Sequence, residues 1–464
     1  MSISALTDIT NCTLWLKGDA GTFEDTGLTT PAADNGDPVK GWDDQAGTNN
    51  VTEATNNPTL LTNALDSKNA VDFDGSDELD LPSMFDNTYD SAFSFYTAYA
   101  VDSVGTFTKP VVFSLAADLR LFYMIDSTGW PNADVNIDNL TMEQQINPGD
   151  ADDKFKIKIP SSTGNRLICV AVGASFAYCE CDRLGLVRRI TAGSMGLTAG
   201  GVLGRYTGSG FQLDGKIFEH GVWKRNLSGS EHGDVHDYFA SRWPTIIGSG
   251  LTLVYCDGDS LTAGAPSANN GNSYPYQLLQ SLGSSYRVIN AGVSGTQLNT
   301  MEADAATRVD GYKQSARNVC VAWGGTNDLY NGTAVATVQT RYSTYCASRQ
   351  AAGWRVVAVT MLPRSDAGTP AGFETDRQTF NTWLRANYTT FADALADVAA
   401  DTRIGDDNDE QDTTYYNADL VHMNATGYGV VAGIVETAVE SLAGTPDLLR
   451  SNLLKSRLLK GLAV

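Results

Sequence analysis

A serine after an apolar run and a distant histidine could together supply a nucleophile and its base. Residues 251–256 are mostly apolar and lead into Asp257-Gly-Asp-Ser260. A continuous apolar run closed by turn residues predicts a strand buried on both faces, and ligands bind beyond the carboxyl ends of such strands. A serine hydroxyl reacts only when a base takes its proton. His422 is the only histidine after residue 250, so we expect it to be that base.

Three further residues complete a set suited to ester hydrolysis. Asp419 precedes His422 by three residues and could hold the imidazole in the tautomer that leaves Nε2 free for Ser260. A tetrahedral oxyanion needs preorganised donors, which we assign to the backbone N–H groups of Ser260 and Gly295 and the side-chain amide of Asn327. Gly295 and Asn327 each follow a predicted strand.

Strands alternating with helices are expected to position these residues. Strands are predicted at 251–256, 287–290, 318–323, 355–360 and 396–400, and helices at 274–282, 334–352, 373–388 and 426–443. This alternation is typical of a parallel sheet and predicts a three-layer α/β/α domain over residues 250–445. If the first strand is central, the ends of the first three strands are neighbours, and their loops converge at one point.

These residues carry a family resemblance. Ser260, Gly295, Asn327 and His422 match, in order, the four invariant letters of the SGNH hydrolases, also called GDSL esterases or lipases, and Asp419 matches that family's Asp-x-x-His block. The resemblance implies a flavodoxin-like fold and a serine esterase that uses no metal and no cofactor. The family includes carbohydrate O-acetylesterases, lipases and thioesterases.

Residues 1–246 have the pattern of an all-β region. Strand-like runs at 70–75, 92–101, 166–172 and 211–218 are separated by turn-forming residues, which favours a sandwich. One helix closes the region: Ser228-Gly-Ser-Glu231 is a capping box, and Pro244 ends the helix. A Gly/Ser connector at 246–250 then marks the predicted domain boundary. Three segments, 13–21, 71–75 and 214–228, resemble the concanavalin A-like, laminin G-type jelly roll, which implies a carbohydrate-binding domain.

Composition excludes some partners. The chain has 464 residues, of which 54 are acidic and 32 basic, for a formal charge of −22. Such a charge repels nucleic acid and anionic lipid, and no apolar run approaches the ~20 residues of a membrane span. The N-terminus lacks the pattern of a secretory signal. We expect an extracellular or virion-associated protein: either its export is signal-independent, or the chain is a mature form, or it reaches the outside another way, such as on a virion or by lysis.

Several other clusters contain residue types that could bind a metal ion. Cys179 and Cys181 lack the additional ligands of a zinc site, and His232 and His236 are interpreted as part of a solvated helix face. Five acidic residues (Asp72, Asp74, Asp77, Glu78 and Asp80) fit no complete calcium-loop pattern, although calcium stays open. A second acidic run, 406–412, is expected to be a solvated loop. Trp42 and Trp130 are not assigned to sugar stacking or to the core.

The last segment, 446–464, is basic and rich in leucine pairs that repeat every five residues. At that spacing the leucines spread around a helix, so we expect either an oligomer or virion assembly contact or a flexible tail. The whole sequence predicts an esterase, foremost a carbohydrate O-acetylesterase, acting on an acylated carbohydrate or another ester. The alternatives are a glycan-binding adhesin or tail-fibre protein whose hydrolase domain is incidental, and a lipase or other acyl esterase.

Overall fold

The structure is a computed structural model that describes most of the chain. It covers residues 3–82, 92–102, 164–172, 176–189, 201–204, 213–248, 250–265, 272–314 and 317–443, with four further strands at 113–115, 119–121, 139–144 and 154–158. Trp130 and the segment 446–464 lie outside these residues, so the predictions made for them stay predictions.

The described strands are β1 (Cys12–Lys17), β2 (Thr22–Phe23), β3 (Gly41–Trp42), β4 (Val51–Thr52), β5 (Thr59–Leu65), β6 (Lys68–Asp74), β7 (Leu79–Leu81), β8 (Phe93–Val101), β9 (Phe113–Leu115), β10 (Leu119–Leu121), β11 (Asn139–Gln144), β12 (Lys154–Lys158), β13 (Gly164–Val172), β14 (Phe176–Cys181), β15 (Leu184–Arg189), β16 (Gly201–Leu203), β17 (Asp214–Trp223), β18 (Thr252–Gly258), β19 (Tyr286–Asn290), β20 (Asn318–Trp323), β21 (Arg355–Val359) and β22 (Ala394–Ala396).

The described α-helices are α1 (Gly229–Arg242), α2 (Pro244–Ile247), α3 (Ser260–Ala263), α4 (Tyr274–Leu282), α5 (Leu298–Arg308), α6 (Thr326–Tyr330), α7 (Val335–Ala351), α8 (Phe373–Asn387) and α9 (Ala425–Ala443). No helix in the described part of the chain is long and apolar enough to cross a membrane.

The C-terminal half contains the expected parallel sheet. Its strands lie in the order β22-β21-β20-β18-β19, so β18 is flanked by β19 and β20. The fifth strand lies at Ala394–Ala396, whereas the prediction placed it at 396–400; residues 398–400 form a 3-10 turn instead. After the strand, the Asp397 carboxylate accepts hydrogen bonds from the Thr360 hydroxyl and from Arg385 at the start of this 3-10 turn.

Helices cover both faces of this sheet. Leu253 and Tyr255 of β18 face one core, which includes side chains of α5, α7 and α8, while Val254 and Cys256 face another, which includes α4 and α9. The alternation follows from the two-residue period of a strand, and the three α/β/α layers are as predicted. The helix α5 was not among the predicted elements.

The N-terminal half is rich in strands. One run of strands continues the large sheet in the order β15-β14-β13-β8-β17-β6-β5, with β1 also paired to β17, and a second sheet has the order β12-β11-β10-β9-β16-β7-β4-β3-β2. The jelly-roll connectivity expected for residues 1–246 stays a prediction.

The two halves share one sheet. Strand β15 pairs in parallel with β19, and Leu184 lies opposite Val288 while Leu186 lies opposite Asn290. The result is a single 13-stranded sheet that crosses the predicted boundary at 246–250. The N-terminal half thus covers the edge of the sheet that β19 would otherwise expose.

Helix α1 corrects one prediction. Its capping box forms as expected, with Ser228 accepting from the Glu231 N–H. His232 and His236, however, are buried at 0% and 1% exposure and do not form a solvated face. The helix packs against the shared sheet, where the ring of His232 lies 4.9 Å from that of Tyr178 on β14, and the same ring stacks on Tyr312 at 5.8 Å between centroids. Burial lowers the pKa of His232 to about 3, which keeps it neutral.

The remaining candidate clusters differ in how far they are buried. Cys179 and Cys181 are buried, and Trp42 is fully buried with its indole N–H donating to the Lys17 carbonyl. Within the described ranges, no group of three or more His, Cys, Asp or Glu residues is arranged to hold a metal ion. The acidic loop at 406–412 is largely exposed, but Glu410 is buried at 2% exposure, contrary to the prediction for that residue.

Candidate active site

Ser260 lies where strand β18 turns into helix α3. Asp259 caps that helix, with its carboxylate accepting from the Leu261 N–H at 3.0 Å. The preceding Gly258 lies against β20, because a Cβ on it would come within 2.2 Å of the Trp323 carbonyl oxygen. Only glycine, which has no Cβ, fits at position 258. The Asp-Gly-Asp-Ser sequence can therefore make its turn directly against β20.

His422 connects Ser260 to Asp419 through both of its ring nitrogens. Nε2 lies 2.8 Å from the Ser260 Oγ, and Nδ1 lies 2.8 Å from Asp419 Oδ2. When Nδ1 carries the proton and donates it to the carboxylate, Nε2 is left to accept from the serine hydroxyl. This chain of two hydrogen bonds is the geometry that activates a serine.

The turn that carries Asp419 and His422 is built around hydrogen bonds to the same carboxylate. Asp419 Oδ1 accepts from the backbone N–H groups of Val421 at 3.1 Å and His422 at 2.9 Å. Leu420 reaches this arrangement with a φ of 60°, a left-handed conformation that costs a non-glycine residue energy. Asn417 closes the turn by donating its backbone N–H to the His422 carbonyl.

The pKa of Asp419 lies below its usual value. Partial burial by itself would raise that pKa, but the hydrogen bonds from the His422 backbone and ring and from the Val421 N–H outweigh it. Asp419 therefore stays ionised at neutral pH and can stabilise an imidazolium at His422.

The loop after β19 lies against the Ser260 turn. Val293 donates its N–H to the Gly258 carbonyl at 2.9 Å, and a Cβ on Gly292 would lie 2.1 Å from the backbone nitrogen of Ala263. Gly295 follows in the same loop and is exposed. Gly295 thus lies in a loop at the same end of the sheet as the serine.

Asn327 is the second residue of helix α6 and lies beside that loop. Its Nδ2 donates to the Thr296 carbonyl at 3.0 Å, which joins the loop after β20 to the loop after β19. The amide group carries two hydrogens, so one is left for another acceptor. The structure brings Ser260, His422 and Asp419 into direct contact and sets Gly295 and Asn327 next to each other; their catalytic roles remain predictions.

A buried charge cluster behind the serine was not predicted. Asp257 is fully buried and pairs with both Nη atoms of Arg308, while Tyr345 donates its hydroxyl to the same carboxylate. Arg308 also donates to the Ala291 carbonyl at 2.8 Å, so it connects β18 to the start of the Gly295 loop. The sequence signal for this cluster is Asp257 itself, a charged residue at the end of an apolar run. A carboxylate that is buried there requires a partner.

Asp259 is a second buried carboxyl whose role was not predicted. It is 1% exposed, and burial raises its pKa to about 7. The Leu261 N–H and the positive charge of Arg364 oppose that shift, whereas the negative charges of Asp328 and Asp257 add to it. The residue next to the serine therefore changes charge near neutral pH.

The loop between β21 and α8 forms one border of the site. Ser365 donates its N–H to the Leu420 carbonyl at 3.1 Å, which fixes this loop to the turn of His422. Arg364 stacks on the ring of Tyr330 at 4.0 Å and pairs with Asp366 at 2.9 Å. The loop of Arg364, the end of α6 at Tyr330 and the turn of Leu420 thus meet beside Ser260, His422 and Asp419.

Comparison with known families agrees with this geometry. Residues 256–430 match the model of the GDSL-like Lipase/Acylhydrolase family, and this range contains Ser260, Gly295, Asn327, Asp419 and His422. Residues 256–430 are a GDSL-like hydrolase domain. The fold of this domain is therefore that of the SGNH hydrolases, as the resemblance implied. A search of curated proteins gave no match.

Several solved structures are similar to part of the chain. TesA aligns with 19% identity and a TM-score of 0.35 over 41% of this chain and 99% of its own. AlinE4, described as an SGNH-hydrolase family esterase, aligns with 26% identity and a TM-score of 0.27 over 31% of this chain and 75% of its own. Est24 from Sinorhizobium meliloti, described as a carbohydrate acetylesterase, aligns with 16% identity and a TM-score of 0.32 over 41% of this chain and 99% of its own.

Proposed function

We propose that the chain is a serine esterase whose GDSL-like hydrolase domain removes acyl groups, acetyl foremost, from acylated carbohydrates. The observation that carries this proposal is the pair of 2.8 Å contacts that join Ser260 to His422 and His422 to Asp419. A serine, an imidazole and a carboxylate in this order are the parts that acyl transfer through a covalent intermediate requires.

The reaction proceeds in two stages. Ser260 Oγ attacks the ester carbonyl carbon while His422 Nε2 takes the hydroxyl proton, and the same proton then goes to the departing alcohol oxygen. Water attacks the resulting acyl-serine with His422 again as the base, and the carboxylic acid leaves as Ser260 recovers its proton. Asp419 holds the ring and stabilises its positive charge in both stages.

The negative oxygen of each tetrahedral intermediate needs donors placed in advance. The N–H groups of Ser260 and Gly295 and the free hydrogen on Asn327 Nδ2 are the donors we assign to it. The loops that carry Gly295 and Asn327 are tied to the serine turn through Val293 and to each other through Thr296. Losing one such donor typically costs about 2.7–4 kcal/mol of transition-state stabilisation.

A polar rim supports carbohydrate rather than long-chain lipid as the substrate. Around the triad, Ser294 and Ser365 are exposed, Asn417 is half-buried, and the Asp419 side chain is 38% exposed. Hydroxyl and amide groups at a rim suit the alcohol part of a sugar ester, whereas a long acyl chain favours an apolar groove. The strand-rich N-terminal half shares a sheet with the site and is the natural place for further contacts with a glycan.

Active-site labelling of the full chain tests the reaction class. A fluorophosphonate should label the wild-type protein at Ser260 and should not label Ser260→Ala, because only an activated serine attacks phosphorus. An unlabelled, folded wild type would contradict the esterase and favour the alternative of a glycan-binding or structural protein.

Substrate choice is tested by release of acid from esters. Acetate release from acetylated polysaccharides should exceed hydrolysis of long-chain aryl esters at matched enzyme concentration. Faster hydrolysis of the long-chain esters would contradict a carbohydrate substrate and would indicate a lipase.

A further inference from the structure

Asp328 is a fully buried carboxylate that the reaction described above does not use. Its Oδ2 accepts from the backbone N–H of Leu298 at 2.9 Å, and its Oδ1 accepts from Arg341 Nη1 at 2.8 Å. The side chain of Arg341 is 33% exposed, whereas that of Asp328 is 0% exposed. The buried bond to Leu298 is therefore the one that water does not compete for.

Leu298 is the first residue of helix α5, and its N–H is one of the donors that a helix start leaves without a partner. The residue at the cap position, Gln297, makes no side-chain capping bond. Asp328 performs that capping from a different element, α6. The start of α5 is thus fixed to α6.

Two consecutive residues of α6 therefore hold the same short segment. Asn327 donates to the Thr296 carbonyl, and Asp328 accepts from the Leu298 N–H two residues later. Gly295 lies directly before this segment. Movement of the start of α5 would shift the Gly295 N–H relative to the Asn327 amide.

We propose that Asp328 is a positioning residue that sets the spacing between the oxyanion donors Gly295 and Asn327. It does not contact the substrate and acts through the Leu298 N–H. This inference rests on the proposed function and adds a residue to that site. A displacement of about 1 Å in a catalytic group can cost on the order of 10²-fold in rate.

The test compares three variants of the full chain in hydrolysis of an aryl acetate. Asp328→Ala removes both bonds, Asp328→Asn keeps an oxygen that can accept from Leu298, and Arg341→Gln removes only the ion pair. We expect kcat to fall by on the order of 10²-fold in Asp328→Ala with KM little changed. Asp328→Asn should retain more activity than Asp328→Ala, and Arg341→Gln should remain close to wild type.

The split between kcat and KM separates positioning from a general loss of structure: a lower kcat at an unchanged KM, in a variant with the wild-type thermal unfolding profile, marks a loss of transition-state stabilisation. A folded Asp328→Ala with wild-type kcat would overturn the proposal, as would an equal loss of kcat in Arg341→Gln.

Two further comparisons keep the outcome clear. If Asp328→Ala does not fold, the pair Asp328→Asn and Arg341→Gln decides: a lower kcat in the former supports the proposal, and equal kcat values overturn it. Fluorophosphonate labelling of the wild type separates a failure of the positioning role from a failure of the proposed esterase activity. A labelled wild type with an unaffected Asp328→Ala defeats only the positioning role, whereas an unlabelled wild type defeats the esterase itself.

Discussion

Arg287 and Glu180 form a buried, two-pronged ion pair that connects the strand before the Gly295 loop to the N-terminal half of the chain. Arg287 lies on β19 and Glu180 on β14, with Nη2 2.7 Å from Oε2 and Nε also in contact with the carboxylate. Tyr178 donates to the same carboxylate at 2.5 Å. Burial alone would raise the pKa of Glu180, but the positive charge of Arg287 outweighs it and keeps that pKa below its usual value.

Breaking this pair should destabilise the whole chain. Replacing Arg287 with Met leaves a buried carboxylate without its partner, for which we expect a loss of about 3–5 kcal/mol in the free energy of unfolding. Urea denaturation measures the change. The matched control is Arg403→Met, since Arg403 makes its ion pair with Asp401 at the surface and should have little effect. Equal stability of the two variants would contradict a coupling role for Arg287.

The shared sheet predicts that the hydrolase domain does not fold well alone. A chain of residues 250–443 would expose the edge of β19, which β15 covers in the full chain, and would leave Arg287 without Glu180. We expect this fragment to aggregate or to show no cooperative unfolding, whereas the full chain unfolds cooperatively. A soluble fragment that unfolds at the same temperature as the full chain would show that the two halves are independent.

Replacing Asp419 with Asn tests the orienting role of the carboxylate. The amide cannot stabilise a positively charged ring and can donate to Nδ1, which favours the tautomer with a proton on Nε2. We expect kcat for an aryl acetate to fall by about 10⁴-fold with the fold intact. Asp407→Asn makes the same chemical change in an exposed loop and should leave kcat unaltered. An Asp419→Asn enzyme with near wild-type kcat would exclude Asp419 from the triad.

Asp259 should make stability fall as pH rises. Its folded pKa is about 7, whereas an unfolded aspartate titrates near ~3.9, so between these values the folded state holds a proton that the unfolded state has lost. The folded state is therefore favoured at the acid end of this window and loses that advantage as pH approaches 7.

In Asp259→Asn this contribution is absent, because the amide does not titrate. Denaturation at about pH 5 and about pH 8 should show the variant gaining stability relative to the wild type at the higher pH. The same difference between variant and wild type at both pH values would contradict a titrating Asp259.

The contact of Ser260, His422 and Asp419 could be predicted because its signals are local. A buried strand that runs into Asp-Gly-Asp-Ser fixes the place of Ser260, and the three-residue spacing of Asp419 and His422 fits one turn. Residues whose role depends on a distant partner were missed. Asp257 needs Arg308, and Asp328 needs the N–H of Leu298, and neither pairing leaves a pattern along the chain.

The strand pairing that connects the two halves was missed for the same reason. The connector at 246–250 predicts two separate units, yet the contact between them is a strand pairing between residues about 100 positions apart along the chain. His232 and His236 were assigned to solvent because the helix α1 gives no sign of the aromatic layer that covers it. Tyr178 and Tyr312, which pack on His232, come from two different halves of the sequence.

The most direct test of the esterase is the hydrolysis of a small aryl acetate by Ser260→Ala and the wild type at equal concentration. The Ser260 hydroxyl is the atom that His422 contacts, so its removal should abolish turnover, with only the slow background reaction left, while the thermal unfolding profile stays that of the wild type. Turnover by a folded Ser260→Ala at the wild-type rate would contradict the account.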